Sequence, residues 1–215
     1  MVKTIRELGY DVNEKNLKFT YDSFYYASGQ YYMTQIINFM RREYDRHRRK
    51  VAPVITDATA NIGASSTGLA TWAARVNAVE IDAYVFGALA NNIWACGLQS
   101  VVTPVLGDYN IVGPTLKEDI LFLDPVWAGP TEDASVEGGP QFAERQYELP
   151  PSLGALELHD VVLAALRRGT NYIFCKVPPQ TQFDKFDTAI RQEYSAIKII
   201  RKPIHKIIMC AIINE

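Results

Sequence analysis

VITDATANIGASSTGLATWAARVNAVEID, running from Val54 to Asp82, decides the fold. It opens on an apolar pair, Val54-Ile55, that leads to a carboxylate, Asp57. Small residues follow, Ala58-Thr59-Ala60-Asn61-Ile62-Gly63-Ala64-Ser65-Ser66, and then Leu69, Trp72, Ala73 and Val76 recur at helical spacing. A second apolar pair, Ala78-Val79, ends in Glu80 and Asp82. Strand, tight turn, helix and strand in so short a span predict the first βαβ unit of an α/β protein. Its sheet would be doubly wound and Rossmann-like, with the ligand beyond the carboxyl ends of the strands.

The residue types narrow that ligand. Ala58, Ala60, Gly63 and Ala64 let backbone come close to a bound molecule. Glu80, at the end of the second strand, is placed to accept from both hydroxyls of a ribose. A dinucleotide fingerprint asks for three glycines in this turn, and only Gly63 is there. Asp57 and Glu80 would repel a pyrophosphate, whereas a cationic sulfonium cofactor with an amino-acid tail suits them. The plain alternative is a turn that binds nothing.

Outward from this unit the chain stays globular in character. Its 22 basic and 24 acidic residues nearly balance, and its 215 residues suffice for a sizeable core. No apolar run is long enough for a bilayer, and MVKTIRELGY lacks the pattern of a cleavable signal. Cys96, Cys175 and Cys210 lie far apart without metal-ligand spacing, and two of them sit in apolar contexts that read as buried thiols, which predicts a reducing intracellular compartment (cytoplasmic or nuclear) and no metal site.

Residues 1–50 read as an N-terminal arm and basic helix, and 51–215 as the main domain. The arm, Met1 to Ala27, is rich in tyrosine without a clear period. A helix is expected from Ser28, its cap, to Arg49, with Met33, Ile36, Ile37, Met40 and Tyr44 on its apolar face. Arg41, Arg42, Arg46, His47, Arg48, Arg49 and Lys50 crowd its end, either as a solvated helix terminus or as a phosphate-binding patch for RNA.

Beyond Asp82, a helix over Ala83 to Leu98 should turn Phe86, Leu89, Ala90, Ile93 and Trp94 to the sheet. A strand from Val101 to Leu106 then leads to Gly107-Asp108, where a carboxylate can meet the amine of an adenine. Ile120 to Leu123 has the pattern of a buried strand. Thr131 to Pro151 reads as a loop over the site, and Leu153 to Arg168 as a helix on which His159 is a surface or packing residue. Tyr172 to Val177 is a strand and Phe183 to Tyr194 a helix. Ala196 to Arg201 and Lys206 to Ile213 would form a closing C-terminal antiparallel hairpin.

Asp124-Pro125-Val126-Trp127, after the Ile120 strand, is the sharpest local signal. The lone pair of a nucleobase amine is delocalised into its ring. The side-chain oxygen of Asp124 and the carbonyl of Pro125 could accept its N–H bonds and aim that lone pair at an incoming methyl group. Trp127 offers a face on which a base stacks, worth about 1–3 kcal/mol.

Asp57 to Ser65, Ala78-Val79-Glu80-Ile81-Asp82, Ala90-Asn91-Asn92 to Cys96-Gly97-Leu98, Gly107-Asp108, and Phe122 to Pro130 together resemble the class I S-adenosylmethionine-dependent methyltransferases. Within these the chain is most similar to the trimethylguanosine synthase family of RNA cap guanine-N2 methyltransferases, including compact forms from large DNA viruses. The likeness is close over Asp57 to Pro130 and elsewhere covers only the order of elements. It implies S-adenosyl-L-methionine as cofactor, held by Asp57, Thr59, Ala60, Asn61, Gly63, Glu80, Asp82 and Asp108. Asp124, Pro125 and Trp127 would be catalytic. Trp127, Lys176, Arg48 and Arg49 would meet the substrate, a capped RNA or cap-like nucleotide. Three residues depart from the family pattern: Asn61 and Ala128 stand where glycines are usual, and Val126 replaces a second proline. An amino-methyltransferase acting on rRNA, tRNA or DNA, and a degenerate binding module of the same fold, are the competing expectations.

Overall fold

The computed structural model describes residues 16–20, 30–48, 51–125 and 152–215. Helix α1 spans Gln30–Arg48, followed by β1 (Val54–Asp57), α2 (Ala64–Leu69), β2 (Arg75–Glu80), α3 (Ala83–Ala95) and β3 (Val102–Leu106). A short helix α4 (Tyr109–Val112) precedes β4 (Ile120–Leu123). After the 126–151 stretch come a small hairpin, β5 (Ser152–Leu153) and β6 (Leu156–Glu157), then α5 (Leu158–Arg167) and β7 (Tyr172–Val177). Helix α6 (Asp184–Glu193) and strands β8 (Lys198–Ile204) and β9 (Ile207–Ile213) complete the order.

One seven-stranded sheet runs β3-β2-β1-β4-β7-β9-β8. Its first five strands are parallel, while β9 is antiparallel to both β7 and β8. This is the α/β doubly wound, Rossmann-like sheet with a C-terminal antiparallel hairpin. The central strands β4 and β7 are buried on both faces, which is why Ile120–Leu123 reads as an unbroken apolar run. From β1 the chain winds outward to β3, then returns to place β4 on the other side of β1. The crevice therefore opens between β1 and β4, at the reversal of strand order.

Each face of the sheet has its own apolar layer. On one side α1 lays Met33, Ile36, Phe39, Met40 and Tyr44 against Ile55, Leu89, Phe174 and Tyr172. Tyr44 meets Tyr172 and Trp72 edge-on, with ring centroids 5.0 and 5.7 Å apart. On the other side, Val161, Val162 and Leu166 of α5 and Phe186 and Ile190 of α6 cover Leu121, Ile173 and Ile212. All three cysteines are buried free thiols. Among the described residues no helix is long and apolar enough to cross a membrane.

Helix α1 descends from the carboxyl edge of the sheet. Tyr32 stacks near His205, in the β8–β9 turn, at 5.5 Å, and the far end of the helix leads into the start of β1. At about 1.5 Å per residue its length carries Arg48 to the amino edge, away from the crevice.

Several local expectations change. Helix α2 stops at Leu69, and Val76 belongs to strand β2 instead of that helix. Ser65, Ser66, Thr67 and Gly68 are weak helix formers, and Thr67 and Thr71 turn their hydroxyls back onto the carbonyls of Ala64 and Gly68. Trp94 is 63% exposed rather than core, because Leu89 and Ile93 already fill the inward stripe of α3. The helix expected from Leu153 begins only at Leu158. Gly154, at φ 62, supplies the positive φ that the two-residue loop of the β5–β6 hairpin needs. The expected cap Ser28, most of the arm and the Thr131–Pro151 loop lie outside the described residues.

Candidate active site

The carboxyl ends of β1, β2 and β4 bring Asp57, Glu80 and Asp124 to one crevice. Asp57 is fully buried; its Oδ2 accepts from Ser66 Oγ at 2.6 Å and its Oδ1 from the Thr59 amide at 3.3 Å. Burial pushes this carboxyl up to about 7, the Ser66 and Thr59 hydrogen bonds oppose that, and the charges of Asp124 and Glu80 add to it. The sequence pattern does not single out Ser66. The only hint of it is a hydroxyl one helical turn into the small-residue run.

Glu80 braces the same turn from the neighbouring strand. Its Oε2 accepts from the Asn61 amide at 2.9 Å and its Oε1 from the Asp82 amide at 2.8 Å. Burial raises its carboxyl above the ordinary value. A carboxylate has about four acceptor lobes, so these two bonds leave capacity for a diol. Asn61 sits at φ 49, in the left-handed region that asparagine tolerates better than most residues. The asparagine thus keeps the backbone conformation that glycine would otherwise provide. Its Oδ1 is buried without a hydrogen-bond partner among the described residues.

Gly63 has φ 94, and a Cβ there would come within 3.0 Å of Leu89 Cδ1. Gly63→Val should therefore lose about 1–3 kcal/mol of stability through strain and overpacking. Urea denaturation checks this, and an unchanged midpoint would show that the turn tolerates a side chain.

Asp82 spends its carboxylate as the cap of α3, accepting from the Tyr84 and Val85 amides at 2.8 and 2.9 Å. Asp108 likewise caps α4 through the Asn110 amide at 2.8 Å. The β5–β6 hairpin leans over this corner: Asn110 Nδ2 donates to the Leu153 carbonyl at 3.2 Å.

Asn92 is a structural brace that sequence reasoning misses. Though 1% exposed, it donates to the Ile62 carbonyl at 3.0 Å and exchanges bonds of 2.7 and 2.9 Å with the Lys18 backbone. It thereby ties the turn to the chain segment that precedes α1. A polar pair, Asn91-Asn92, inside an otherwise apolar helix is the available signal.

Asp124 and the turn are joined directly. The Asp124 amide donates to Thr59 Oγ1 at 2.9 Å, and Lys176 Nζ lies 2.7 Å from Asp124 Oδ2. Pro125 is buried beside it. The other residues expected to meet the substrate separate: Arg48 ends α1 at the opposite edge of the sheet, and Arg49 and Trp127 lie outside the described residues.

No protein-family model matches the chain. Among solved structures it is similar to a hypothetical protein of Thermus thermophilus, with a TM-score of 0.61 and 14% identity over 95% of this chain and 96% of that one. An rRNA methylase from Streptococcus thermophilus aligns at 0.51 with 10% identity, covering 84% of this chain and 94% of that one. The M. jannaschii tRNA m1G37 methyltransferase aligns at 0.53 with 19% identity over 80% of this chain. This chain spans 47% of that longer protein. The fold is that of the class I methyltransferases.

Proposed function

We propose that this protein is an S-adenosylmethionine-dependent RNA methyltransferase acting on the exocyclic N2 amine of guanine, with the 7-methylguanosine cap as its target. The observation that carries this reading is the hydrogen bond from the Asp124 amide to the Thr59 hydroxyl. It fixes the amine-positioning residue to the cofactor turn. Solved structures of the same fold that are named as RNA methylating enzymes support RNA as the substrate class.

The crevice fits a cationic cofactor. Three carboxylates converge there, and Asn61 Oδ1 is a buried acceptor in the turn with capacity to spare. S-adenosylmethionine supplies an electrophilic methyl group on a sulfonium. Glu80 would hold its ribose and Asp108 its adenine. Asp57, Thr59, Ala60, Asn61 and Gly63 would shape the methionine end, with Asp82 fixing the start of α3 beside the ribose. Asp124 and the Pro125 carbonyl would accept the two amine hydrogens and direct the nitrogen lone pair at the methyl carbon. Asp124 would also take the proton shed as the methylated nitrogen returns to neutrality. Trp127 would stack on the guanine, and more strongly on a cationic 7-methylguanine. Arg48 and Arg49 would meet RNA phosphates remote from the target base.

Methyl transfer to capped RNA, with the product located by mass spectrometry, tests this reading, and methylation at another atom would overturn it. Glu80→Ala should cost about 1.5–3 kcal/mol of cofactor affinity, as for losing a charged hydrogen bond. Calorimetry showing undiminished affinity would remove Glu80 from the ribose site. A base amine within structural RNA is the second reading, supported by the tRNA and rRNA enzymes that share the fold.

A further inference from the structure

Positive charge gathers along the side of the sheet that β8 closes. Strand β8 stands last in the strand order and pairs only with β9. Its Lys198, Ile200, Lys202 and Ile204 share one face by alternation, and Ile200 and Ile204 belong to the apolar layer that α1 covers. Lys202 therefore reaches the helix. Its Nζ lies over the Phe39 ring, 5.7 Å from the centroid, and the Arg42 guanidinium lies over the same ring at 5.6 Å. Glu43, only 1% exposed, anchors two guanidinium groups at this spot. Its Oε1 accepts from Arg42 Nε at 3.0 Å and its Oε2 from Arg46 at 2.7 Å. Both arginine side chains stay half-exposed.

Three cations thus share one carboxylate, and the next acid on α1, Asp45, lies 3.5 Å from a further arginine, Arg41. The chain as a whole is slightly acidic, with 22 basic against 24 acidic residues, so the excess is local. Lysines on an edge strand can serve merely to keep that edge from pairing with another sheet. That purpose asks nothing of α1, and it does not explain a buried carboxylate that fixes two arginines beside the strand.

The direction of β8 connects this charge to the crevice. β8 runs the same way as β7, because each is antiparallel to β9. Lys198 therefore lies toward the amino edge of the sheet. The exposed His205 and Lys206, in the turn after β8, lie at the carboxyl edge where the crevice opens. Two strand spacings, about 10 Å, separate β8 from β7. Helix α1 runs the opposite way, from Tyr32 beside His205, so Arg46, one turn beyond Arg42, is displaced toward the Lys198 end.

We propose that Lys206, Lys202, Lys198, Arg42 and Arg46 form a strip that holds the phosphates of an RNA chain as it leaves the crevice, crosses β7 and β9, and turns down the β8 side. This rests on the reading of RNA as the substrate and adds the course of the chain beyond the target base. A positive track that follows the backbone holds RNA without reading its sequence. Guanidinium groups anchored by Glu43 suit paired contacts with phosphate oxygens, and the lysines add point charges.

The test is the salt dependence of binding of capped and uncapped oligouridylates, with S-adenosylhomocysteine present. Each phosphate neutralised on a single strand adds about −0.7 to the slope of log affinity against log salt. The triple variant Lys198→Gln, Lys202→Gln, Lys206→Gln should flatten that slope by about 2 for both RNAs and weaken both about tenfold or more at low salt. Its S-adenosylhomocysteine affinity should match that of the unaltered protein. Lys202 also covers Phe39, so the double variant Lys198→Gln, Lys206→Gln, which leaves that contact intact, should flatten the slope by about 1.4. An unchanged slope in both variants overturns the proposal and leaves the lysines as guards of the edge. Loss of binding to phosphatidylserine vesicles with RNA binding retained overturns it in favour of a membrane surface. Equal affinity of the unaltered protein for capped and uncapped RNA, with the slope flattened in the variants, sustains the strip and overturns only the cap as target.

Discussion

Asp124→Ala should lower kcat by roughly 10²-fold or more while leaving S-adenosylmethionine affinity nearly intact. The backbone of residue 124 keeps its hydrogen bond to Thr59, so the cofactor turn retains its anchor. On the proposed function, what disappears is a preorganised acceptor for an amine whose nitrogen becomes tetrahedral in the transition state. Removing a single polar contact of that kind typically costs about 10²–10³ in kcat. The substitution also takes the carboxylate away from the Lys176 ammonium, so some loss of stability accompanies the loss of rate. Asp124→Asn separates the two effects. It keeps one acceptor for the amine and should retain more kcat than the alanine variant. Steady-state kinetics on capped RNA, with cofactor affinity measured by calorimetry, distinguish these outcomes. A normal kcat in Asp124→Ala would move the chemistry elsewhere.

The second large effect is a pH dependence set by Asp57. With its carboxyl raised to about 7, the cofactor-free protein carries a proton there through much of the acidic range. A cation bound nearby favours the ionised form, so binding should expel that proton. S-adenosylmethionine affinity should then fall by up to tenfold for each pH unit below about 7 and level off above it. The stability of the cofactor-free protein runs the other way. Its folded carboxyl pKa lies above the 3.8 of an exposed one, so between about 4 and 7 the folded state holds more protons than the unfolded state. Asp57 therefore contributes less stability as pH rises through that window. Asp57→Asn keeps a partner for Ser66 and for the Thr59 amide and removes the titration. Calorimetry in buffers of different ionisation enthalpy should detect proton release in the unaltered protein at about pH 6 and much less in the variant. No proton release in the unaltered protein would detach Asp57 from cofactor binding.

What is legible in the sequence follows from how much of each feature is local. β4 can be read because a strand covered on both faces must be apolar throughout, β1 because an apolar pair leads into a carboxylate at its end, and the turn between β1 and α2 because its small residues are consecutive. The antiparallel hairpin of β8 and β9 shows as two apolar runs around a basic turn. Asp124 and Lys176 are 52 positions apart, and only the register of β4 with β7 makes them one unit. Asn92 and the Lys18 backbone are joined across 74 positions. Trp94 is misplaced by periodicity because a helical period fixes a stripe but not its width: Leu89 and Ile93 saturate the inward side, and the next residue must face water. The β5–β6 hairpin escapes because four strand residues are too few for any alternation to register.

Strand β9 constrains the order in which the molecule can be assembled. Although it follows every other strand in the chain, it lies between β7 and β8 and pairs with both. During vectorial synthesis the cofactor crevice, built from β1, β2 and β4, can take shape early. β7, which holds Lys176, keeps an open edge until residue 213 has been made, and β8 has no other partner among the described strands. A nascent chain thus carries an unpaired apolar strand edge beside a nearly complete crevice, the kind of edge that invites intermolecular pairing. The strand that carries Lys176 thus gains its second neighbour only after the strands that carry Asp57 and Glu80 and lead to Asp124 have been joined.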